Sequence, residues 1–377
     1  MRMYATGRIV TYDADAHPSF HSNDSRFYYF VTRDGVRYMS SGGEMRWHEL
    51  FSINRPVMVA RGDIVAVGEI SGGNAVYVFD STGLLYRTPF ENPVLTFSVN
   101  ESGFLSAIVQ YEVGYGIYIY NQHRTSGQPL FYKAIREDLI LPTIVEVSGD
   151  GRYMAIAFID LSTRRTRLTT TVQLRYLNLR DAHGTDGGDG LFSEDEFAGY
   201  VVSALRFMED DRLIVATTSE NSAQIICLSI QLGTGQSVVR EMWNINLKNQ
   251  LTHLEFYRNR YIAYVTGDRF IGADGADPPG TLRIVNINGS GSQTGYFNLN
   301  RRATHLRMGH NAVIVGSDRS FHAISLRGTH LWEHITLHDT RDVLFLDNTD
   351  IILVAARTHR AEVFRRGRVR TEEDDEF

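Results

Sequence analysis

The feature that most constrains this chain is a two-strand unit that returns along most of its length. An apolar run, a short polar turn and a second, more apolar run read Val94–Val99, Asn100–Gly103 and Leu105–Val109. The unit recurs as Ile144–Ser148, Gly149–Gly151 and Tyr153–Ala157, and again as Ala204–Phe207, Glu209–Asp211 and Leu213–Ala216. Further copies pair His253–Phe256 with Tyr261–Val265 and Val343–Leu346 with Ile351–Ala355. Runs rich in Val, Ile, Tyr, Phe and Thr, punctuated by Gly, Asp, Asn and Ser, specify short strands, and helical spacing is hard to find anywhere.

Each copy continues into a third, alternating strand and a more polar fourth. The clearest case is Ala75–Phe79, the turn Asp80–Gly83, then Leu84–Arg87; Gly116–Tyr120 and Leu282–Asn286 are third strands of the same kind. About eight four-stranded antiparallel units at this spacing describe an all-β chain, a single β-propeller. One blade cannot bury both of its faces, and stacking blades around a ring does so. The blades are expected at 15–53, 54–92, 93–141, 142–200, 201–249, 250–300, 301–339 and 340–366. The last has only three strands, so Arg8–Tyr12 is expected to supply its outermost member and close the ring; otherwise an unpaired edge remains. Seven blades is the alternative. With no Pro- or Gly-rich linker, one domain is expected over 1–366, followed by an acidic, disordered tail at 367–377.

Composition excludes several classes of function. Of the 377 residues 43% are hydrophobic, enough for a large core, so wholesale disorder is excluded. A net charge of −6 gives no basic footprint for nucleic acid. Lysine occurs only at Lys133 and Lys248, an arginine bias that reflects base composition more simply than phosphate binding. The single cysteine, Cys227, excludes an intrachain disulfide and a thiolate metal cluster. The N-terminal residues lack a signal-peptide core, and the most apolar run, Ile351–Ala356, is far too short to span a bilayer. A soluble, monomeric chain is expected, cytoplasmic as written.

The segment from Arg55-Pro56-Val57 through Gly62–Val67 to Tyr77–Gly83 resembles an uncharacterised bacterial propeller family. That family carries a domain of unknown function and is related to quinoprotein-like (PQQ-type) propellers. The likeness continues through Pro93-Val94 and Ser148–Gly151 and weakens after about Asn300. Gly43-Glu44-Met45-Arg46-Trp47 and its echo Gly328-Thr329-His330-Leu331-Trp332 are similar to the Gly-x-x-x-Trp end of PQQ-type blades. The resemblance implies that each Trp lies on a fourth strand and packs between blades. It also implies a propeller held outside the cytoplasm by an N-terminal membrane helix, which this sequence does not show. It brings no activity, ligand or catalytic residue.

Motifs that carry chemistry fail on spacing or context. His330-Leu331-Trp332-Glu333-His334 satisfies H-x-x-E-H, which makes a zinc site on a helix. On a strand, alternation is expected to put His330, Trp332 and His334 on one face and Glu333 on the other. Quinone chemistry of the vicinal-Cys kind lacks its cysteine pair. The Gly-rich run 181–190 misses the calcium-loop pattern, because the twelfth residue from Asp186 is Phe197. No cofactor, metal or catalytic residue is therefore expected, although a triad assembled across blades is recognised by geometry and not by spacing.

Loops joining second to third strands are expected to share a rim with the blade-to-blade connections. Two are long, 161–168 and 269–280, and supply Arg164, Arg165, Arg167, Arg269 and Phe270 as candidate contacts for a protein or cell-envelope polymer. Three functional classes follow. A non-catalytic interaction scaffold uses the rim. A small-ligand or polymer sensor gathers aromatic and Arg side chains at the axis. A hydrolase brings titratable groups from different blades together there.

Overall fold

A computed structural model describes the chain except residues 1, 14–15, 24–25, 124–127, 138, 163–167, 178–189, 210, 233–236, 268–277, 289, 358 and 368–377. Every regular element among the described residues is a strand. They form eight four-stranded antiparallel sheets, the blades of an eight-bladed β-propeller. Blades 1 to 7 span 19–50, 56–89, 94–135, 140–198, 201–247, 251–298 and 305–335, each built from four consecutive strands. Blade 8 takes three strands from 340–367 and its fourth from Arg2–Thr11.

The closing strand sets Ile9 opposite Glu362, Val10 opposite Ala361 and Thr11 opposite Arg360. It reaches back to Arg2, beyond the Arg8 start expected from the sequence, across an irregularity between Ala5 and Ile9. Gly7 lies in that irregularity at φ 77°, a conformation glycine adopts without steric cost. Tyr12 follows directly. Its N–H donates to the His359 carbonyl at 3.0 Å, and its hydroxyl reaches the carbonyls of Ala356 (2.6 Å) and Arg360 (2.9 Å).

Contacts divide the chain into two compact units. Unit 1 comprises Met1–Thr32, Val36–His48 and Leu251–Phe377; unit 2 comprises Arg33–Gly35 and Glu49–Gln250. In unit 2, Leu105, Ala107 and Val109 of blade 3 pack on Val76 and Val78 of blade 2, while Ile108 turns towards Met154 and Ile156 of blade 4. Second strands are thus buried on both faces, which is why they read as nearly continuous apolar runs. In unit 1, Trp332 sits on the fourth strand of blade 7 and packs edge-on to Phe345 of blade 8, its Nε1 donating to the Thr349 carbonyl at 2.8 Å. Trp47 is also on a fourth strand, and stacks on Tyr38 of its own blade at 5.5 Å.

The polar turns are made by the side chains the sequence places there. Asn100 Oδ1 accepts from the N–H groups of Ser102 and Phe104, and Asp80 Oδ1 accepts from those of Thr82 and Gly83. Such side-chain turns reverse the chain while leaving the flanking strands free to pair.

Candidate interaction rim

Backbone hydrogen bonds define which loops share an edge. In unit 2 the N–H of Leu161, after the second strand of blade 4, donates to the Leu139 carbonyl in the connection from blade 3 (2.8 Å). Gly199 N–H, between blades 4 and 5, donates to the Leu168 carbonyl at 2.7 Å. Unit 1 repeats the pattern, with Thr340 N–H donating to the Asp318 carbonyl at 2.9 Å. Second-to-third loops and blade connections therefore lie together, as expected. The other turns meet on the opposite edge, where Asn100 Nδ2 donates to the Ser148 carbonyl (2.8 Å) and Leu177 N–H to the Arg152 carbonyl (2.8 Å).

Exposure of large apolar side chains follows this division. Outside strands, the described residues of this kind are Ile70, Val113, Leu139, Leu161, Leu168 and Leu337, and all six lie in the first class of loop. Val113 is 63% exposed, Leu139 52%, Leu161 49% and Leu168 42%. These four belong to blades 3 and 4, in one unit. A single exposed leucine needs no explanation, but segregation of the whole set to one type of loop does.

Tyr111, in the same loop as Val113, belongs to an aromatic cluster on blade 3. The hydroxyls of Tyr111 and Tyr118 touch, and the rings of Tyr118 and Tyr132 lie 4.8 Å apart. Phe90, from the connection into the blade, meets Tyr118 and Tyr120 edge-on at 5.9 and 5.8 Å. Gly116 makes the room, since a Cβ there would stand 2.7 Å from the Tyr111 ring. Burial, chiefly, pushes the Tyr111 phenol up to about 12 and raises Tyr118 and Tyr132 as well. The cluster thus stays neutral and able both to donate and to accept hydrogen bonds.

Arg164, Arg165, Arg167, Arg269 and Phe270 lie outside the described residues. Leu161 and Leu168, which flank the first three, are described and form part of the exposed set. Sequence reasoning found the loop but weighted its charges. The tyrosine-rich run Tyr111–Tyr120 was the signal available for the aromatic cluster, and it reads equally well as ordinary strand.

Two polar networks bridge first strands. In unit 2, Glu146 of blade 4 accepts from Ser98 Oγ of blade 3 at 2.8 Å and pairs with Arg61 of blade 2 at 3.4 Å. They border a cavity of about 140 Å³, also lined by Thr96, Ser106 and Thr143, with no histidine among the described residues lining it. In unit 1, Arg307 of blade 7 holds both carboxylate oxygens of Asp342 in blade 8 (3.1 and 3.2 Å) and Glu255 of blade 6 at 3.0 Å. Asp342 first, then Glu255, keep that guanidinium charged. Ser98, Glu146, Arg206, Glu255 and Arg307 occupy equivalent places, one residue before the paired positions Val99, Val147, Phe207, Phe256 and Met308. At this position Ser98 bonds to Glu146 and Arg307 to Glu255, each pair clipping two neighbouring blades. The cavity is below the ~300 Å³ typical of small-molecule sites.

The H-x-x-E-H segment departs from simple alternation. Trp332 and His334 do share a face, and His334 packs against Phe364 of blade 8 at 4.5 Å. A bulge, however, separates the pairs Ala323–Trp332 and Ile324–His330, leaving Leu331 unpaired. The extra residue turns His330 to the opposite face, against Phe297 of blade 6 and His322 of its own blade, so the expectation that His330 accompanies His334 is corrected. Among the described residues no group of three His, Cys, Asp or Glu side chains is placed to hold a metal. No described helix is long and apolar enough to cross a membrane.

The chain belongs to DUF5711, a family of unknown function, whose model matches residues 25–361. A search of curated proteins finds no match. Among solved structures it is similar to BamB from Moraxella catarrhalis, at 13% identity and a TM-score of 0.51, covering 97% of this chain and 100% of that one. It is also similar to the C-terminal WD40 domain of Sif2, at 12% identity and a TM-score of 0.58, covering 97% and 99%. The β-propeller domain of Cps50 (Swd1) from Myceliophteria thermophila gives 10% identity and a TM-score of 0.54, covering 96% and 100%. At such identities the likeness is one of fold.

Proposed function

We propose that this protein is a non-catalytic propeller scaffold that binds a protein partner through the loop rim of blades 3 and 4. The observation that carries the reading is the confinement, among the described residues, of exposed, non-strand apolar side chains to one class of loop, Val113, Leu139, Leu161 and Leu168 among them, with Tyr111 of the Val113 loop joined to Tyr118. Aromatic and aliphatic side chains that water leaves readily, with phenol hydroxyls for orientation, are what the centre of a protein interface uses. The polar networks on the first strands read as clips between blades, and Ser98 contacts a carboxylate with no imidazole among the residues lining its cavity.

The test is site-specific photo-crosslinking in the native host, with the photoreactive residue at Leu161 on the rim or at Leu84 on the other side of a blade. A defined adduct from position 161, absent from position 84 and lost on Leu139→Ser with Val113→Ser, is the expected result. Equal adducts from both positions, or an adduct indifferent to the serine substitutions, would overturn the reading.

A further inference from the structure

Separate from the rim, blades 6 and 7 meet where a turn of one lies against the fourth strand of the other. A Cβ on Gly295 would stand 2.9 Å from the backbone nitrogen of Gly328, so the two backbones approach as only glycine permits. This close approach lays His330, two residues after Gly328, over the Phe297 ring at 5.6 Å with the planes 9° apart. Phe297 also flanks His322, at 5.1 Å. One aromatic ring therefore holds two imidazoles from neighbouring strands, and His322 Nδ1 comes within 3.3 Å of His330 Nε2.

That separation has a chemical meaning beyond a hydrogen bond. Two nitrogens bound to one tetrahedral ion at ~2.0–2.1 Å stand about 3.3–3.4 Å apart. Glu333, directly across the strand pair from His322, adds a carboxylate to the same face, where Ser320 Oγ donates to it at 3.2 Å. We propose that His322 and His330 form a two-imidazole site for a divalent transition metal of the zinc and nickel class. With two protein ligands and solvent completing the shell, it is a surface chelate that exchanges its metal, unlike a closed four-ligand structural site. The H-x-x-E-H motif is therefore divided: His330 joins His322, and His334 belongs to the core.

The experiment is calorimetric titration of the full chain with zinc chloride at about pH 7.5, where imidazoles are neutral, with nickel chloride as a second probe. One ion per chain is expected, removable by a chelator. His330→Asn and His322→Asn should each weaken binding at least about ten-fold, since half of the protein ligands is lost. His338→Asn, at an exposed loop histidine, should leave it unchanged. Shifts of the two imidazole resonances on adding zinc locate the ion independently of affinity. Absence of stoichiometric binding, or binding that survives the His322→Asn/His330→Asn double variant, would overturn the proposal. Circular dichroism of each variant checks that the sheets persist.

Discussion

Removing the Tyr12 side chain tests the closure of the terminal blade where it is most concentrated. Tyr12 is 9% exposed, and its hydroxyl caps the carbonyls of Ala356 and Arg360, on either side of the turn that precedes the last strand. Its ring lies 6.3 Å from Phe20 and 6.0 Å from Phe30 of blade 1. Burial pushes the phenol up to about 12, so it remains a neutral donor under all ordinary conditions. Tyr12→Phe keeps the packing and removes the donor, at a cost of about 1–2 kcal/mol, towards the upper end because the Ala356 bond is buried. Tyr12→Ala also empties the aromatic pocket and should cost about 3–5 kcal/mol in all. Urea unfolding followed by far-ultraviolet circular dichroism gives the differences from midpoint and slope. Hydrogen exchange should show the amides of Arg360–Gly367 losing protection in Tyr12→Ala before those of other blades. A loss below about 1 kcal/mol for the alanine variant, or unchanged exchange in that strand, would refute the latch as the weak point of the fold.

Two further predictions follow from buried titratable groups. Cys227 is fully buried, and burial pushes its thiol up to about 11, so Ellman's reagent should leave it unreacted in the folded chain and label it once guanidinium unfolds the protein; fast labelling of the native protein would contradict the burial. Burial also lowers the pKa values of His305 and His334 below the ordinary 6.5. The unfolded chain then takes up these protons first, so their contribution to stability is complete above the ordinary histidine range and declines as pH falls through and below it. Thermal midpoints should drop between about pH 7.5 and pH 5.5, with a shallower slope in His334→Leu, and a midpoint that rises on acidification would refute the assignment.

The fold was legible because its determinants are local and repeated. Second strands such as Leu105–Val109 and Tyr153–Ala157 declare themselves as apolar runs since both of their faces are covered, and Asn100 and Asp80 announce the turns. The closing strand was legible by subtraction: a last blade with three strands needs a fourth, and Ile9-Val10 was the spare alternating run. What alternation alone does not give is a change of phase. Leu331 looks like any other strand residue, yet the bulge beside it decides that His330 meets Phe297 and His322 while His334 enters the core. The irregularity near Gly7, which carries the first strand back to Arg2, was missed for the same reason.

The candidate rim was legible in kind and not in membership. Chain order fixes that Leu161 and Leu168, at the ends of one second-to-third loop, and Gly280, at the end of another, meet blade connections, because strand direction alternates within every blade. Whether a leucine in such a loop is exposed depends on what the next blade places over it, and that information is spread over distant segments. Leu139 and Leu161 are bound backbone to backbone, yet their side chains remain outside. Leu177, equally apolar and also following a strand, is covered by the blade 3–blade 4 core. Charge drew attention to the arginines because a charge stays visible in a bare sequence whatever its surroundings, whereas an apolar side chain acquires functional meaning only when the folded chain leaves it uncovered. The proposed rim thus assigns partner capture to Val113, Leu139, Leu161 and Leu168, with Arg164, Arg165 and Arg167 secondary. Neutralising the arginines alone should then slow association and leave dissociation nearly unchanged, since peripheral charges act mainly on the encounter.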